Sequence, residues 1–291
     1  MQRRNFIKQS AILSAGMMAV PELAFKRNYK IGLQLYTLRD IIATDVLSTF
    51  KKIKSAGYTE VEMYGLDKDN KFFGHTVKQI AGFLKTSGLS SSGGHYTPED
   101  FLYNNGNGDD VKNLCDVAHK LGHSYIIIAW LDEAQRDTID KYKKLAERIN
   151  LASEICKKAN LQLAYHNHSY EFEDMNGQHG YDILLNNTDS NLVKMELDLY
   201  WVVKSGYDPI TIFKAHPGRF PLWHVKDMDK INNTKNTEIG NGLIDFKKIF
   251  AASELAGVKH YIIEQENNYH PDFYGSITSS NKAVKKLLRH I

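Results

Sequence analysis

Cysteine, proline and surplus charge are all scarce in this chain, and each scarcity removes a class of protein. Two cysteines in 291 residues, Cys115 and Cys156, cannot build a disulfide framework; both fall in helical patterns far apart in sequence and read as buried free thiols. With six prolines the chain has no Pro/Gly/Ser-rich linker that would divide it. Lys+Arg 37 against Asp+Glu 34 leaves a net charge of +3, too weak a bias to argue for nucleic acid or an anionic membrane. No apolar stretch is long enough for a stable membrane span. No Gly-x-Gly-x-x-Gly follows the first β-type run, so nothing supports a dinucleotide; Asn105-Gly106-Asn107-Gly108 reads as turn chemistry. What remains is an ordinary globular composition, 42% hydrophobic and 24% charged, long enough for one α/β barrel or two smaller domains.

The N-terminus stands apart. Arg3-Arg4-Asn5-Phe6-Ile7-Lys8 precedes the modest apolar run Ala11–Val20. A charged start followed by a short apolar run has the form of a signal peptide, and the paired arginines resemble a twin-arginine export signal. The expectation is a signal over residues 1–27, delivery to the periplasm, and a folded domain over 28–291. An ordinary amphipathic helix is the competing reading.

From Tyr29 onward β-type runs alternate with helical patterns. The runs are Lys30–Tyr36, Thr59–Tyr64, Leu89–His95, Ser124–Trp130, Leu161–Phe172, Val193–Tyr200, Phe220–Asp227 and His260–Glu266. Helical patterns over 45–56, 76–87, 109–121, 136–159, 181–187, 209–216, 245–256 and 276–289 follow them in turn, with Gly57, Gly88 and Gly122 placed as C-terminal stops. Strands separated by helices imply parallel pairing. Eight units at this length predict a single (β/α)8 TIM barrel, with a doubly wound open sheet as the alternative.

A barrel of this kind presents its chemistry at the C-terminal ends of its strands. Period-two alternation puts Gln34 with Tyr36, Glu60 with Glu62 and Tyr64, His166 with His168, Glu196 with Asp198, His224 with Lys226, and Glu264 with Glu266 on common faces, and adds His95. Taken alone, each has a bland reading: a lone buried His is usually a hydrogen-bonded core residue, and Glu60 reads as an exposed or ion-paired strand start. Together, carboxylates, imidazoles and an ammonium crowded at one end call for a compensating cation, and a mixed His/Asp/Glu set suits Zn, Mn or Co.

Tyr165-His166-Asn167-His168 with Glu171-Phe172, Glu196-Leu197-Asp198-Leu199-Tyr200-Trp201, His224-Val225-Lys226-Asp227, Gly240–Phe246 and Ile263-Glu264-Gln265-Glu266 resemble the sugar phosphate isomerase/epimerase family. This family lies in the xylose isomerase-like TIM barrel superfamily, with endonuclease IV, inosose dehydratase and ketose 3-epimerases. The resemblance spans about residues 30–290. It implies one divalent metal (Mn, Co, Zn or Mg) held by His166, Asp198, His224 and Glu264, with His168 as the other strand-five candidate. Many family epimerases carry Glu on strand five; the His here departs from a symmetrical two-glutamate epimerisation. Endonuclease IV chemistry fits poorly, because no further His follows His224 in that region.

Such a site suits proton abstraction next to a carbonyl through an enediolate. Glu264 is the expected ligand and proton carrier, with Glu196, Glu266 or His168 as partner. Lys226 would stabilise developing negative charge or bind a hydroxyl; its bland reading is an ion pair with Asp227 or Glu196. Glu62, His95, Glu266, Trp130 and Trp201 are candidate substrate contacts, with core packing as the competing reading for the tryptophans. The expected function is a metal-dependent isomerase or epimerase of a non-phosphorylated small sugar or keto-sugar. A lyase, dehydratase or hydratase acting on 3-keto sugars is the alternative, and a non-catalytic carbohydrate-binding barrel the third.

Overall fold

A computed structural model describes residues 29–291; the segment read as an export signal lies outside the described residues. Eight parallel strands close into a barrel: β1 (Lys30–Gln34), β2 (Glu60–Met63), β3 (Ser90–Tyr96), β4 (Tyr125–Ile128), β5 (Gln162–His166), β6 (Val193–Asp198), β7 (Leu222–Val225) and β8 (His260–Ile263). Each strand pairs with its neighbour in sequence and β8 returns to β1, so the expected single (β/α)8 barrel forms. No helix among the described residues is long and apolar enough to cross a membrane.

Alternation explains both faces. Outward residues such as Leu33, Val61, Ile126, Leu163, Leu197, Trp223 and Tyr261 are buried beneath the helices in one large core. Each such side chain contributes about 1.5–3 kcal/mol of burial. Inside the barrel a small separate cluster, Tyr125, Ile127, Ala164 and Leu222, fills the lower part. Space there is tight: a Cβ on Gly32 would sit 2.5 Å from Ile262 Cδ1 and 3.1 Å from Glu60 Cγ.

Helix ends follow local capping chemistry. Thr76 and Gln79 form a capping box at the start of Val77–Ser87, and Gly88 ends that helix at φ 70°. Some boundaries differ from the sequence reading, for identifiable reasons. β5 stops at His166 because the Glu171 carboxylate accepts the His168 N–H (2.9 Å), turning the chain into a 3-10 segment, Tyr170–Phe172. β6 stops at Asp198, whose side chain caps an additional short helix, Leu199–Lys204. The 245–256 pattern divides into Phe246–Phe250 and Ser253–Ala256, and a helix at Glu99–Tyr103 was not anticipated. Cys115 and Cys156 are buried and unbridged.

Candidate active site

Strand register assembles the site. β6 pairs with β7 so that Asp198 stands beside His224; β5 pairs with β6 so that His166 stands beside Glu196, one layer deeper. β1 and β2 place Gln34 beside Glu62. The result is a stack of ionisable side chains descending from the barrel mouth into its interior.

The upper layer is Asp198, His224, Glu264 and Lys226, all buried. Asp198 Oδ1 accepts the Trp201 N–H (3.0 Å), which fixes the carboxylate and turns Oδ2 into the site. Asp198 Oδ2 takes no hydrogen bond, although Lys226 Nζ lies 3.3 Å away. Lys226 Nζ also meets Glu264 Oε2 at 2.8 Å and Glu266 Oε1 at 2.5 Å. Burial opposes the ammonium, but Asp198, Glu264 and Glu266 outweigh it and hold the Lys226 pKa well up. Glu264 is held low against its own burial by Lys226 and His224. The bland pairing of Lys226 with Asp227 or Glu196 does not form. Asp227 instead accepts the N–H groups of Gly240 (2.8 Å), Gly242 (3.0 Å), Met228 (2.8 Å) and Ile244 (3.3 Å). That explains the Gly240-Asn241-Gly242 stretch, since a Cβ on Gly242 would lie 2.2 Å from Asp227 Oδ1. The motif is loop scaffolding.

The lower layer is a hydrogen-bonded platform. Glu196 Oε2 lies 2.8 Å from His95 Nε2, 3.1 Å from His166 Nδ1 and 3.3 Å from His224 Nε2. Glu62 Oε2 lies 2.9 Å from His95 Nε2, 2.8 Å from His224 Nε2, and accepts Gln34 Nε2 at 2.6 Å. Burial works against a charged His95, yet Glu62 and Glu196 raise it to about 9; Glu196 and Glu62 likewise hold His224 up. Burial and then the neighbouring Glu62 raise Glu196 to about 7, while His95 and His224 keep Glu62 well below the usual carboxylate range despite its burial. Burial, and next the His224 charge, push His166 down.

These positions revise several expectations. Glu62 and Glu196 are fully buried below the cavity, where they brace His95 and His224 from behind. His166 belongs to a group with His95, Glu196 and His224, whereas Asp198, His224 and Glu264 form the second possible metal group. The register that sets His166 one layer below Asp198 accounts for this. His168 joins neither group. Its ring stacks on Tyr170 (centroids 5.4 Å) and lies beside Trp201 (5.8 Å). Burial, aided by Lys226, lowers its pKa to about 3, leaving a neutral imidazole on the wall.

A cavity of about 580 Å³ opens above this stack, a usual size for a small-molecule site. His95, His166, His168, Glu264 and Glu266 line its chemical end, and Trp201, Tyr170, Trp130, Tyr36 and Tyr64 supply aromatic wall. Both candidate tryptophans border the cavity, while Trp223 is the tryptophan of the core. Tyr36, Tyr64 and Tyr170 were not singled out as contacts beforehand. Only their position just past strand ends could have flagged them.

Asp198, His224 and Glu264 present ligand atoms within 4.8 Å of one another, two carboxylates and an imidazole, with one carboxylate oxygen lacking any hydrogen bond. That donor set fits a divalent cation, which small side-chain adjustments would let all three reach. The buried Glu62 and Glu196 behind His224 are what a ligand imidazole needs to fix its ring and tautomer.

The chain belongs to the xylose isomerase-like TIM barrel family, whose sequence profile matches residues 50–291. A sugar phosphate isomerase/epimerase from Parabacteroides distasonis superposes with a TM-score of 0.78 at 28% identity, over 89% of this chain and 94% of that one. The IolI protein, solved with a bound zinc atom, shares the fold at a TM-score of 0.70, 16% identity, and 90% and 98% coverage. The inosose dehydratase of Lacticaseibacillus casei is 27% identical over 177 residues, 51% of this chain and 59% of that protein. The chain thus matches between half and three-fifths of the length of that curated relative.

Proposed function

We propose that the protein is a divalent-metal-dependent enzyme that removes the proton next to the carbonyl of a non-phosphorylated sugar or keto-sugar. The observation that carries this is the convergence of Asp198, His224 and Glu264 beneath a cavity, with Lys226 Nζ 2.8 Å from Glu264 and the unprotonated His168 on the wall. Asp198, His224 and Glu264 would hold the ion. When bound, such an ion supplies Lewis-acid polarisation of a carbonyl. His168 lines the cavity without a proton and is placed to take the α-proton, a step that its low basicity leaves dependent on acidification of the C–H by the polarised carbonyl; Tyr170 OH at 3.4 Å from Nδ1 helps fix the ring. Lys226 can donate a proton or hydrogen bond to the oxygen that gains charge. Among the described residues the cavity wall carries Glu264 and Glu266 and no arginine or lysine, which is unsuited to a phosphate group.

The carbanion so formed can be reprotonated, giving epimerisation or isomerisation, or can expel a β-substituent. Two facts favour elimination. The acid/base groups are chemically unlike, a neutral imidazole on one side and an ammonium–glutamate pair on the other, and inosose dehydratases are among the relatives. In that outcome the C–H bond breaks, a C=C bond forms, the β C–O bond breaks, and the leaving oxygen takes a proton from Lys226. Export through the paired Arg3-Arg4 segment is part of the same proposal and agrees with an unphosphorylated substrate.

The test is metal content and turnover together. The full chain should bind about one Mn, Co or Zn, and Asp198→Asn, which keeps a capping oxygen for Trp201, should lose it. In deuterated water, 3-keto sugars should acquire solvent deuterium or yield an unsaturated product. A chain that binds no ion after reconstitution would refute the reading.

A further inference from the structure

The mouth of the barrel is divided by strand. Strands β5 to β8 and the segments after them supply most of the ionisable groups of the wall, His166, His168, Glu264 and Glu266, beside Tyr170 and Trp201, with Asp198, His224 and Lys226 just beneath. Strands β1 to β4 and the segments after them supply Tyr36, Tyr64, Tyr96 and Trp130, largely aromatic, together with His95 of β3, which sits at the chemical end. Strand order makes each set a continuous arc of the rim.

The aromatic arc is both open and stiff. Trp130 is 52% exposed and Tyr36 40% exposed, unusual for rings of that size. Tyr36 is braced edge-on by Tyr64 (5.2 Å) and by the Arg39 guanidinium 4.6 Å from its centroid; Tyr64 rests in turn on Phe73 (5.3 Å). Trp130 stands perpendicular to the His168 and Tyr170 rings, at 5.6 and 5.9 Å, so neither ring lies parallel on it. One sugar ring at the chemical end already has an aromatic neighbour in Trp201, close to Lys226. The exposed rings beyond it have no task in the chemistry, and the cavity is far larger than one pyranose.

We infer that the substrate is a glycoside with two rings, the reacting sugar above Glu264 and Lys226 and a second ring, saccharide or aryl, against Trp130 and the Tyr36–Tyr64 pair. This rests on the proposed function for the identity of the reacting end, and adds a second subsite to it. Apolar ring faces are what these side chains recognise, through offset or edge stacking and burial of C–H surface.

Binding, which needs no turnover, separates the two ideas. Titration calorimetry on the metal-loaded full chain would compare methyl glucoside and methyl galactoside with cellobiose, lactose and phenyl glucoside. At least one two-ring compound should bind about tenfold or more tighter than its methyl counterpart, and whether disaccharide or aryl wins identifies the second ring. Trp130→Ala should erase that advantage and Trp130→Phe restore most of it, with metal content unchanged in both. Trp130 is exposed enough that its loss leaves the fold intact, and Tyr36→Ala provides an independent check on the other plate. Equal affinity for one-ring and two-ring compounds, no binding of any of them, or an advantage that survives Trp130→Ala would overturn the second subsite. Metal binding by Asp198 would be untouched by that result.

Discussion

The two ends of the barrel interior both bury histidine against glutamate, and the contrast between them shows what makes a site. Toward the N-terminal end, His260 Nδ1 pairs with Glu60 Oε1 at 2.8 Å, next to the apolar cluster of Tyr125, Ile127, Ala164 and Leu222. That pair is complete in itself and plugs the barrel. Toward the C-terminal end, His224 alone faces Glu62, Glu196 and Glu264 within 3.3 Å, and Asp198 at 4.0 Å. There Glu62 Oε1, Glu196 Oε1 and Asp198 Oδ2 are buried without a hydrogen-bond partner among the described residues. A buried imidazole–carboxylate pair is therefore no sign of function. Excess acceptors around one imidazole are, because such a cluster is costly unless a cation completes it.

The sharpest way to break this contrast is to remove the shared imidazole. His224→Ala takes away one donor of the metal group and the partner of two buried glutamates. It should abolish metal binding, reduce turnover by about a thousandfold or more, and cost about 3–5 kcal/mol of stability. Glu60→Gln, at the opposite end, should leave metal content and turnover unchanged. Metal analysis, steady-state rates and urea melts on both variants check this; a rate defect in Glu60→Gln would collapse the distinction between the ends.

A smaller effect follows from Lys226. Its ammonium neutralises Asp198 and Glu264, the carboxylates that would also hold the ion. Lys226→Met should lower turnover by roughly a hundredfold to a thousandfold. The same substitution should tighten metal binding, since the ion no longer competes with a fixed positive charge. A variant that loses rate and metal affinity together would show that Lys226 organises the ligands instead.

Much of this architecture was legible beforehand. Period-two alternation located the inward residues that lie within strands, Glu60 and Glu62, His166, Glu196 and Asp198, and His224, whereas Tyr36, His168, Lys226, Glu264 and Glu266 stand past the strand ends. What alternation cannot supply is depth. Glu62 and Glu196 share a face with the metal group yet lie below the cavity, and His166 stands with Glu196 by register. Inter-strand register is a property of the closed barrel and leaves no local trace. Local capping also escaped notice: Glu171 ends β5, and its carboxyl, lifted to about 7 by burial, is held by Tyr165 OH at 2.6 Å. The aromatics after β1 to β4 were harder still: alternation puts Tyr36 and Tyr64 at the strand ends, but only the closed rim shows that their rings border the cavity.

The smallest effect at neutral pH, and the one that isolates partner from burial, concerns His123. It lies just before β4, buried like His224, with Tyr96 OH 3.2 Å from Nδ1 and, among the described residues, no carboxylate in contact with it, Glu62 acting only from a distance. Burial lowers its pKa to about 3, whereas carboxylates lift His95 to about 9. The signs of the two contributions are opposite. His95 binds its proton more tightly folded than unfolded, so its stabilisation is full below pH 6.5 and fades as pH rises through 9. His123 refuses a proton that the unfolded chain accepts near 6.5, so stability falls as pH drops from 6.5 toward 3. The loss is up to about 1.4 kcal/mol for each pH unit in that window. Denaturant melts of the parent and His123→Gln between pH 7 and 4.5 should therefore diverge at the acid end, the variant losing less, and differ little at pH 7. Parallel curves would mean that His123 gains a proton and a partner on acidification, and that burial alone does not separate it from the histidines of the site.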